Sequence, residues 1–135
     1  MDLTQVRLIV TDFPAVYRFY RDVIGLKPQF EAENGPYVAF KPDLGSALAL
    51  HSRAEVEASV PDLEPGSGDV FIVSLRVDDL DDYIAGVTDR GATCTPPRVL
   101  DGRVKVSYVR DPEGHLVELQ QWLATRTGAP VPSVS

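Results

Sequence analysis

A carboxylate, an amide and an indole follow one another on one face of the last predicted strand. Glu118, Gln120 and Trp122 are two residues apart, and side chains at this spacing point to the same side of a strand. An ionised carboxylate there needs a partner, and Arg7 and Arg76 lie on the polar faces of two other predicted strands. We therefore expect one of these arginines to pair with Glu118. Gln120 and Trp122 would then contact a ligand, or else close the core or a dimer interface.

Two histidines and one cysteine are the other side chains suited to proton transfer or nucleophilic attack. His51 ends a predicted strand and would hydrogen-bond a ligand there. His115 lies on the opposite strand face from Glu118, and we interpret it as an anchor for the preceding turn. Cys94 has no histidine nearby in the sequence, which is typical of a small core or strand residue rather than a nucleophile. With one cysteine, no internal disulfide can form.

Composition and charge favour a soluble globular protein with a small-molecule partner. The 135 residues are 44% hydrophobic and 24% charged, which argues against disorder. The formal net charge is −7 and the basic residues are scattered singly, so nucleic-acid binding is disfavoured. No segment approaches the roughly 18 apolar residues of a membrane span, and the first residues do not resemble a signal peptide. We expect a cytoplasmic protein with no membrane contact.

An internal repeat positions these residues. The segment VRLIVTDF, residues 6–13, returns about 67 residues later as VSLRVDDL, residues 73–80, with apolar positions and an Asp in register. In each copy a strand runs into a helix, because an Asp suited to N-capping precedes a helical apolar pattern that ends at a glycine. The caps are Asp12 and Asp79, and the glycines are Gly25 and Gly91.

Three further strands are predicted after each helix, so each half reads βαβββ. The predicted strands cover residues 29–31, 36–41 and 46–51 in the first half and 93–96, 103–110 and 115–122 in the second. Turns are predicted at 33–35 and 42–45, and a type I turn at 111–114. We expect a single domain over residues 1–123, built from module one (1–51), a surface linker (52–68) and module two (69–123). A flexible tail (124–135) follows.

The paired βαβββ halves, together with two motifs, resemble the vicinal oxygen chelate superfamily. The motifs are FYRDVIGL at residues 19–26 and RDPEGHLVEL at residues 110–119. This superfamily includes glyoxalase I, extradiol dioxygenases, fosfomycin-resistance transferases and bleomycin-resistance proteins. The resemblance covers about residues 3–122. It implies an α+β fold in which two tandem βαβββ modules form a curved mixed sheet around a cleft, and it implies a homodimer.

Enzymes of this superfamily hold one divalent cation, which stabilises a developing enolate or alkoxide as a Lewis acid. Carrying the ligand positions over gives Gln5, Ala49, Ile72 and Glu118, of which only Gln5 and Glu118 have donor atoms. Aligning by the repeat offset instead places His51 opposite Glu118. If a metal is bound, we expect Gln5, His51 and Glu118 as its ligands and Ni, Zn, Mn or Fe as the ion. Because Ile72 has no donor, neither a metal nor another cofactor is favoured.

The same strand faces are expected to line a small-molecule cleft. Tyr108 comes ten residues before Glu118, where fosfomycin-resistance enzymes carry a cleft tyrosine. For an enzyme, the expected catalytic residues are Glu118 and His51. The predicted ligand-binding residues are Gln5, Arg7, His51, Ser74, Arg76, Tyr108, Arg110, Gln120 and Trp122.

Three functions remain open from the sequence. The favoured one is metal-poor ligand binding or sequestration, as in the bleomycin-resistance proteins, with the acidic charge attracting a cationic ligand. The first alternative is a metal-dependent lyase, isomerase, dioxygenase or transferase of the same superfamily. The second is a metal-free enzyme in which Glu118 or His51 acts as a general base.

Overall fold

Strands with alternating apolar residues form two sheets in the computed structural model, which describes residues 1, 3–41 and 47–134. The chain divides between Gly68 and Asp69 into two compact units. Each unit holds one sheet of mixed parallel and antiparallel strands. This α+β arrangement agrees with the fold class predicted from the sequence. No helix in the described ranges is long and apolar enough to cross a membrane.

The first unit has a three-stranded sheet made of β1 (Gln5–Val10), β2 (Tyr37–Phe40) and β3 (Ala47–Ser52). The central strand is β3, which pairs in parallel with β1 and antiparallel with β2. Between β1 and β2, helix α1 (Phe13–Arg18) continues into a π-helical segment, Phe19–Ile24. Up to β3, the described part of the unit therefore has the order βαββ.

The first helix begins and ends where the sequence predicts. The carboxylate of Asp12 accepts a hydrogen bond from the Ala15 backbone N–H at 3.2 Å, and Gly25 ends the helical segment with φ +95°. Tyr17 and Tyr20 are fully buried, and their ring centroids lie 6.0 and 6.1 Å from that of Phe40 on β2. This aromatic contact attaches the helix to one face of the sheet and leaves the other face for polar residues.

The second unit has the complete βαβββ order predicted for its half of the chain. Its elements are β4 (Ile72–Arg76), α2 (Leu80–Asp89), β5 (Arg98–Leu100), β6 (Val104–Arg110) and β7 (Leu116–Trp122). The strand order is β4, β7, β6, β5, with β4 parallel to β7 and the other pairs antiparallel. One sheet face buries Val73, Val109, Val117 and Leu119, and α2 packs against β6 and β7.

The turn between β6 and β7 is confirmed and anchored by a buried carboxylate. The Gly114 N–H donates to the Asp111 carbonyl at 2.9 Å, and Gly114 adopts φ +86°. Asp111 Oδ1 accepts from the backbone N–H groups of Glu113 and His115, and Asp111 Oδ2 lies 2.6 Å from His115 Nδ1. The structure thus gives His115 the turn-anchoring role that its position predicts.

Two predicted strands are wrong, and prolines explain the second of them. Residues 29–31 form no strand, and only an isolated bridge joins Pro28 to Phe40. Residues 93–96 also form none, and β5 starts at Arg98, after Pro96 and Pro97. The Thr95 N–H does donate to the Tyr108 carbonyl on β6 at 2.9 Å. Proline lacks the N–H group that would continue the ladder, so the regular strand begins after the two prolines.

The predicted surface linker contains a helix, and the tail folds back. Residues Arg53–Ser59 form a helix of the first unit directly after β3. At the other end of the chain, Ser133 and the Val134 N–H donate to the Asp78 carboxylate at 3.0 and 2.8 Å. The predicted turn at residues 42–45, and the first residue of the strand predicted at 46–51, lie outside the described residues.

Candidate functional site

Strand register places three polar side chains side by side in the second unit. Ser74 on β4 pairs with Glu118 on β7, which pairs with Tyr108 on β6. Paired residues of neighbouring strands project to the same side of a sheet. This side is opposite to the buried one that packs against α2, and it also carries Gln120 and Trp122. We call it the Glu118 face.

Three neutral donors hold the Glu118 carboxylate. The Tyr108 hydroxyl donates to Oε2 at 2.7 Å, while Ser74 Oγ and Gln120 Nε2 donate to Oε1 at 3.3 and 2.6 Å. A carboxylate offers about four acceptor positions, two on each oxygen. Oε1 is therefore saturated, and one acceptor position remains on Oε2. A single further donor can bind there without displacing any of the three.

The predicted pairing of Glu118 with Arg76 is wrong. The Arg76 guanidinium lies 4.7 Å from the Trp122 ring centroid and donates to the Pro132 carbonyl at 2.6 Å. The Arg7 guanidinium contacts His51 instead, at 3.1 Å. Among the described residues of the second unit, no Lys or Arg forms an ion pair with Glu118. The alternation of side chains along the strand correctly predicts that Arg76 lies on the Glu118 face. Its side chain, however, is long enough to reach the indole ring of Trp122.

A directed chain of hydrogen bonds links the indole to the carboxylate. Trp122 Nε1 donates to Gln120 Oε1 at 3.1 Å, and Gln120 Nε2 donates to Glu118. The two contacts together fix the orientation of the Gln120 amide. Trp122 itself is 42% exposed, so its ring is open to a ligand.

Tyr108 is held in its neutral, proton-donating form. Its pKa is raised, first because its hydroxyl donates to Glu118, then because of burial and because a phenolate would lie beside that carboxylate. Arg98 on β5 opposes this rise through a hydrogen bond and its positive charge. Arg98 is therefore a member of this site that the sequence did not indicate.

The polar residues of the first unit form a network of their own. The Tyr37 hydroxyl donates to Gln5 Oε1 at 2.9 Å, and its ring packs edge-on against His51 at 5.4 Å. His51 Nδ1 accepts from Arg7, and His51 Nε2 donates to Glu55 Oε1 at 3.1 Å. Because both ring nitrogens are engaged, His51 offers no lone pair to a metal ion in this arrangement.

The strand registers decide between the two alignments of the repeat. Arg7 on β1 pairs with Ala49 on β3, and Ser74 on β4 pairs with Glu118 on β7. Since Arg7 and Ser74 are equivalent in the repeat, Ala49 corresponds to Glu118. His51 instead corresponds to Gln120, which lies two residues beyond Glu118 on β7. Aligning His51 with Glu118 is therefore wrong.

The donor set is poor for a divalent ion. Within each unit, no three His, Cys, Asp or Glu side chains of the described part of the chain come together. Ile72 and Ala49 have no donor atoms, and Glu118 keeps one acceptor position. A divalent ion of the kind that the resemblance implies needs three or more protein donors. The residues at these positions do not fit such an ion.

Two further candidate residues have other roles. Arg110 makes a bidentate ion pair with Asp69 at 2.7 and 2.9 Å and also donates to the Gly114 carbonyl. Its guanidinium lowers the pKa of Asp69, which marks a structural ion pair. Cys94 is partly buried, and burial raises the pKa of its thiol, which disfavours a nucleophilic thiolate.

Sequence reasoning missed three residues of these networks for identifiable reasons. Arg98 lies on a strand that was placed too early in the chain. Glu55 lies in a segment that its composition assigned to a linker. Tyr37 could be predicted from the sequence, because it lies on a predicted strand and its long side chain reaches Gln5 on β1.

Comparison with known proteins gives a consistent family. The model of the Glyoxalase/Bleomycin resistance protein/Dioxygenase superfamily matches residues 2–119. The uncharacterized protein YraH of Bacillus subtilis is 28% identical over 130 residues, which cover 91% of this chain and 100% of YraH.

Two solved structures share the fold at lower identity. TnmS3, an antibiotic-binding protein from Streptomyces sp. CB03234, matches with a TM-score of 0.69 and 21% identity, covering 90% of this chain and 96% of TnmS3. The lactoylglutathione lyase of Agrobacterium tumefaciens matches with a TM-score of 0.67 and 24% identity, covering 89% of this chain and 92% of the lyase.

Proposed function

Because this chain belongs to the Glyoxalase/Bleomycin resistance protein/Dioxygenase superfamily, we propose that it binds and sequesters a small organic molecule on the Glu118 face without a divalent metal ion. The observation that carries the proposal is the set of three neutral donors on Glu118. They orient the carboxylate, and no Lys or Arg among the described residues of the second unit lies within 4.0 Å of it. An oriented acceptor on the same sheet face as an exposed indole suits ligand recognition.

The free acceptor position defines the group that this face recognises. Glu118 Oε2 has room for one donor, and an ammonium or amidinium group would satisfy the position and neutralise the charge. The exposed ring of Trp122 provides a stacking surface further along the same strand. The net charge of −7 increases the local concentration of cations around the protein. We therefore favour a cationic, partly aromatic ligand.

A metal-dependent reaction fits these residues less well. The fold does not distinguish a binding protein from an enzyme, since an antibiotic-binding protein and a lyase both share it. The side chains present support binding without a metal, because His51 is engaged at both nitrogens and Ile72 and Ala49 have no donor atoms. Metal-free ligand binding uses the donors that are present.

Metal content is the first test. We expect protein purified without chelators to retain less than stoichiometric Ni, Zn, Mn or Fe by elemental analysis, and titration with each ion to show no tight site. Glu118→Ala should leave the metal content unchanged. Stoichiometric metal that is lost in Glu118→Ala would contradict the proposal and support the metal-dependent enzyme.

Ligand binding is the second test. A panel of cationic aromatic antibiotics, bleomycin included, is titrated by calorimetry with and without a chelator. We expect at least one compound to bind, the chelator to have no effect, and Glu118→Gln to weaken binding by about tenfold, as for loss of a charge-assisted hydrogen bond. Glu57→Gln, which removes the same charge from an exposed helix, is the matched control. Turnover of a bound compound that Glu118→Gln abolishes would instead support a metal-free enzyme.

The family resemblance also leads us to propose a homodimer. Sedimentation velocity tests this directly, since the sedimenting species should have twice the mass of the chain. A species with the mass of one chain at all concentrations would contradict it.

A further inference from the structure

Beyond Glu118, the same face ends in a pocket whose charge is positive. The pocket has a volume of about 420 Å³, within the range of small-molecule sites, and mainly apolar walls. We call it the Trp122 pocket. It is lined by Arg103, Val104, Trp122, Ala124, Thr125 and Arg126.

Strand pairing and a folded-back chain build this pocket. Val104 and Trp122 are paired across β6 and β7, so both belong to the Glu118 face. The Leu123 N–H donates to the Arg103 carbonyl at 2.8 Å, and the Arg103 guanidinium donates to the Thr125 carbonyl at 3.4 Å. Thr125 Oγ1 in turn donates to the Ala129 carbonyl at 2.7 Å. The chain after β7 is thus held as one wall of the pocket.

The two arginines of the pocket have no acidic partner. In residues 1, 3–41 and 47–134, no carboxylate lies within 4.0 Å of Arg103 or Arg126, whereas Arg18, Arg21 and Arg110 all pair with acids. Arg103 and Arg126 thus bring two guanidinium groups without an acidic partner to one pocket, in a chain with a net charge of −7. Guanidinium groups bind carboxylates in a planar, bidentate geometry.

The indole is oriented for a planar ligand. Its N–H is used by Gln120, and the Arg76 guanidinium lies 4.7 Å from its centroid. These contacts hold the ring in place while 42% of the residue stays exposed, and Trp122 lines the pocket. A fixed aromatic ring stacks on other aromatic groups with little loss of conformational entropy.

From these features we infer that the Trp122 pocket binds an aromatic carboxylate, with the aryl ring on Trp122 and the carboxylate between Arg103 and Arg126. The inference rests on the proposed function for its place in ligand recognition, since Trp122 lies about 13 Å along β7 from Glu118 at roughly 3.3 Å per residue. A ligand that spans both sites carries a cationic group at one end and an aromatic acid at the other.

Trp122 is the sole tryptophan, so tryptophan fluorescence, excited at a wavelength that the five tyrosines do not absorb, reports on this pocket. The full chain is titrated with 4-nitrobenzoate, a quencher, and with 4-nitrobenzyl alcohol as its neutral counterpart, each corrected against free N-acetyltryptophanamide. We expect saturable quenching by the acid and about tenfold weaker binding of the alcohol, as for loss of a charge-assisted contact. Linear quenching of equal slope by both compounds would overturn the inference.

Variants connect the quenching to the arginines. Arg103→Gln and Arg126→Gln are each expected to raise the dissociation constant of 4-nitrobenzoate by about tenfold. Arg53→Gln, which removes a guanidinium paired with Glu57, should leave it unchanged. Arg126 makes no hydrogen bond within the described part of the chain, so its variant tests the pocket even if Arg103→Gln disturbs the fold. Wild-type affinity in Arg126→Gln would contradict the inference.

The two proposals can fail separately. Nitrobenzoate binding without any Glu118-dependent binding of the cationic panel would contradict the proposed function and leave the inference about the Trp122 pocket intact. Glu118-dependent binding of a panel compound without saturable nitrobenzoate quenching would do the reverse.

Discussion

On its sheet face the Glu118 carboxylate is bound by neutral donors, and no Lys or Arg among the described residues of the second unit lies within 4.0 Å of it. Partial burial of a carboxylate is costly unless its hydrogen bonds are replaced, and the donors Tyr108, Ser74 and Gln120 replace three of them. Neutral donors satisfy the oxygens without cancelling the charge. A guanidinium in the same place would have closed the site to a cationic ligand, whereas the present arrangement leaves one acceptor position open.

The hydrogen bond from Tyr108 to Glu118 predicts a titration. In Glu118→Gln, the pKa of Tyr108 should fall toward the ordinary tyrosine value of about 10, because the carboxylate that accepts the phenol proton and repels the phenolate is gone. Ultraviolet difference titration measures this, with Tyr108→Phe identifying the contribution of Tyr108 among the five tyrosines. Glu57→Gln is the control. An unchanged Tyr108 titration in Glu118→Gln would show that the two groups do not interact in solution.

The contact between His115 and Asp111 predicts a pH-dependent stability. The pKa of His115 is raised, first by its hydrogen bond to Asp111 and also by the charges of Asp111 and Glu113, while burial opposes the rise. The folded state therefore binds the proton more tightly than the unfolded state, whose histidine has a pKa of about 6.5. The resulting stabilisation is complete below about pH 6.5 and is lost as pH rises through the higher folded value.

Urea unfolding at a series of pH values measures this contribution. The free energy of unfolding of the wild type should decline above about pH 6.5, and His115→Gln should remove that part of the decline. Asp111→Asn should reduce it as well, because the amide no longer attracts the imidazolium. The prediction fails if His115→Gln and the wild type lose stability in parallel over this range.

At the level of the element, sequence signals for helix ends are reliable here because they are local. Asp79 at the start of α2 (Leu80–Asp89) accepts from the Asp82 N–H at 3.0 Å, as its position before the apolar pattern predicts. Strand boundaries depend on a partner strand and were predicted less well. Residues 93–96 have the composition of a strand, but Pro96 and Pro97 move the pairing to Arg98–Leu100. That shift hid Arg98 from the predicted site.

The cap on α2 predicts a matched pair of variants. Asp79→Ala should lower the free energy of unfolding by about 1 kcal/mol, because it leaves a backbone N–H of the first turn unsatisfied. Asp79→Asn keeps the accepting oxygen and should cost much less. Urea unfolding of both variants measures the difference, and equal losses would show that the cap does not stabilise the helix.

At the level of the whole chain, the repeat predicts tandem modules and the faces of their strands. Alternation correctly assigned Ser74, Tyr108, Glu118, Gln120 and Trp122 to one face, because side-chain direction in a strand follows from sequence position alone. It did not give the partners of Arg7 and Arg76, since long side chains choose among several neighbours. The Trp122 pocket was also not predicted, because it depends on the chain folding back after β7.

The connection between the two units predicts where a protease cuts first. Each unit has its own buried core, and residues 60–71 between them form no helix or strand. Cleavage requires an extended, accessible segment, and Glu64 lies in the middle of this one, whereas Glu55 and Glu57 are helical and Glu118 is in β7. Brief digestion with a glutamate-specific protease should therefore produce fragments 1–64 and 65–135 first, as mass spectrometry would show.

Glu64→Gln should delay digestion. A first cut at Glu113 in both proteins would place the least protected segment at the β6 to β7 turn instead.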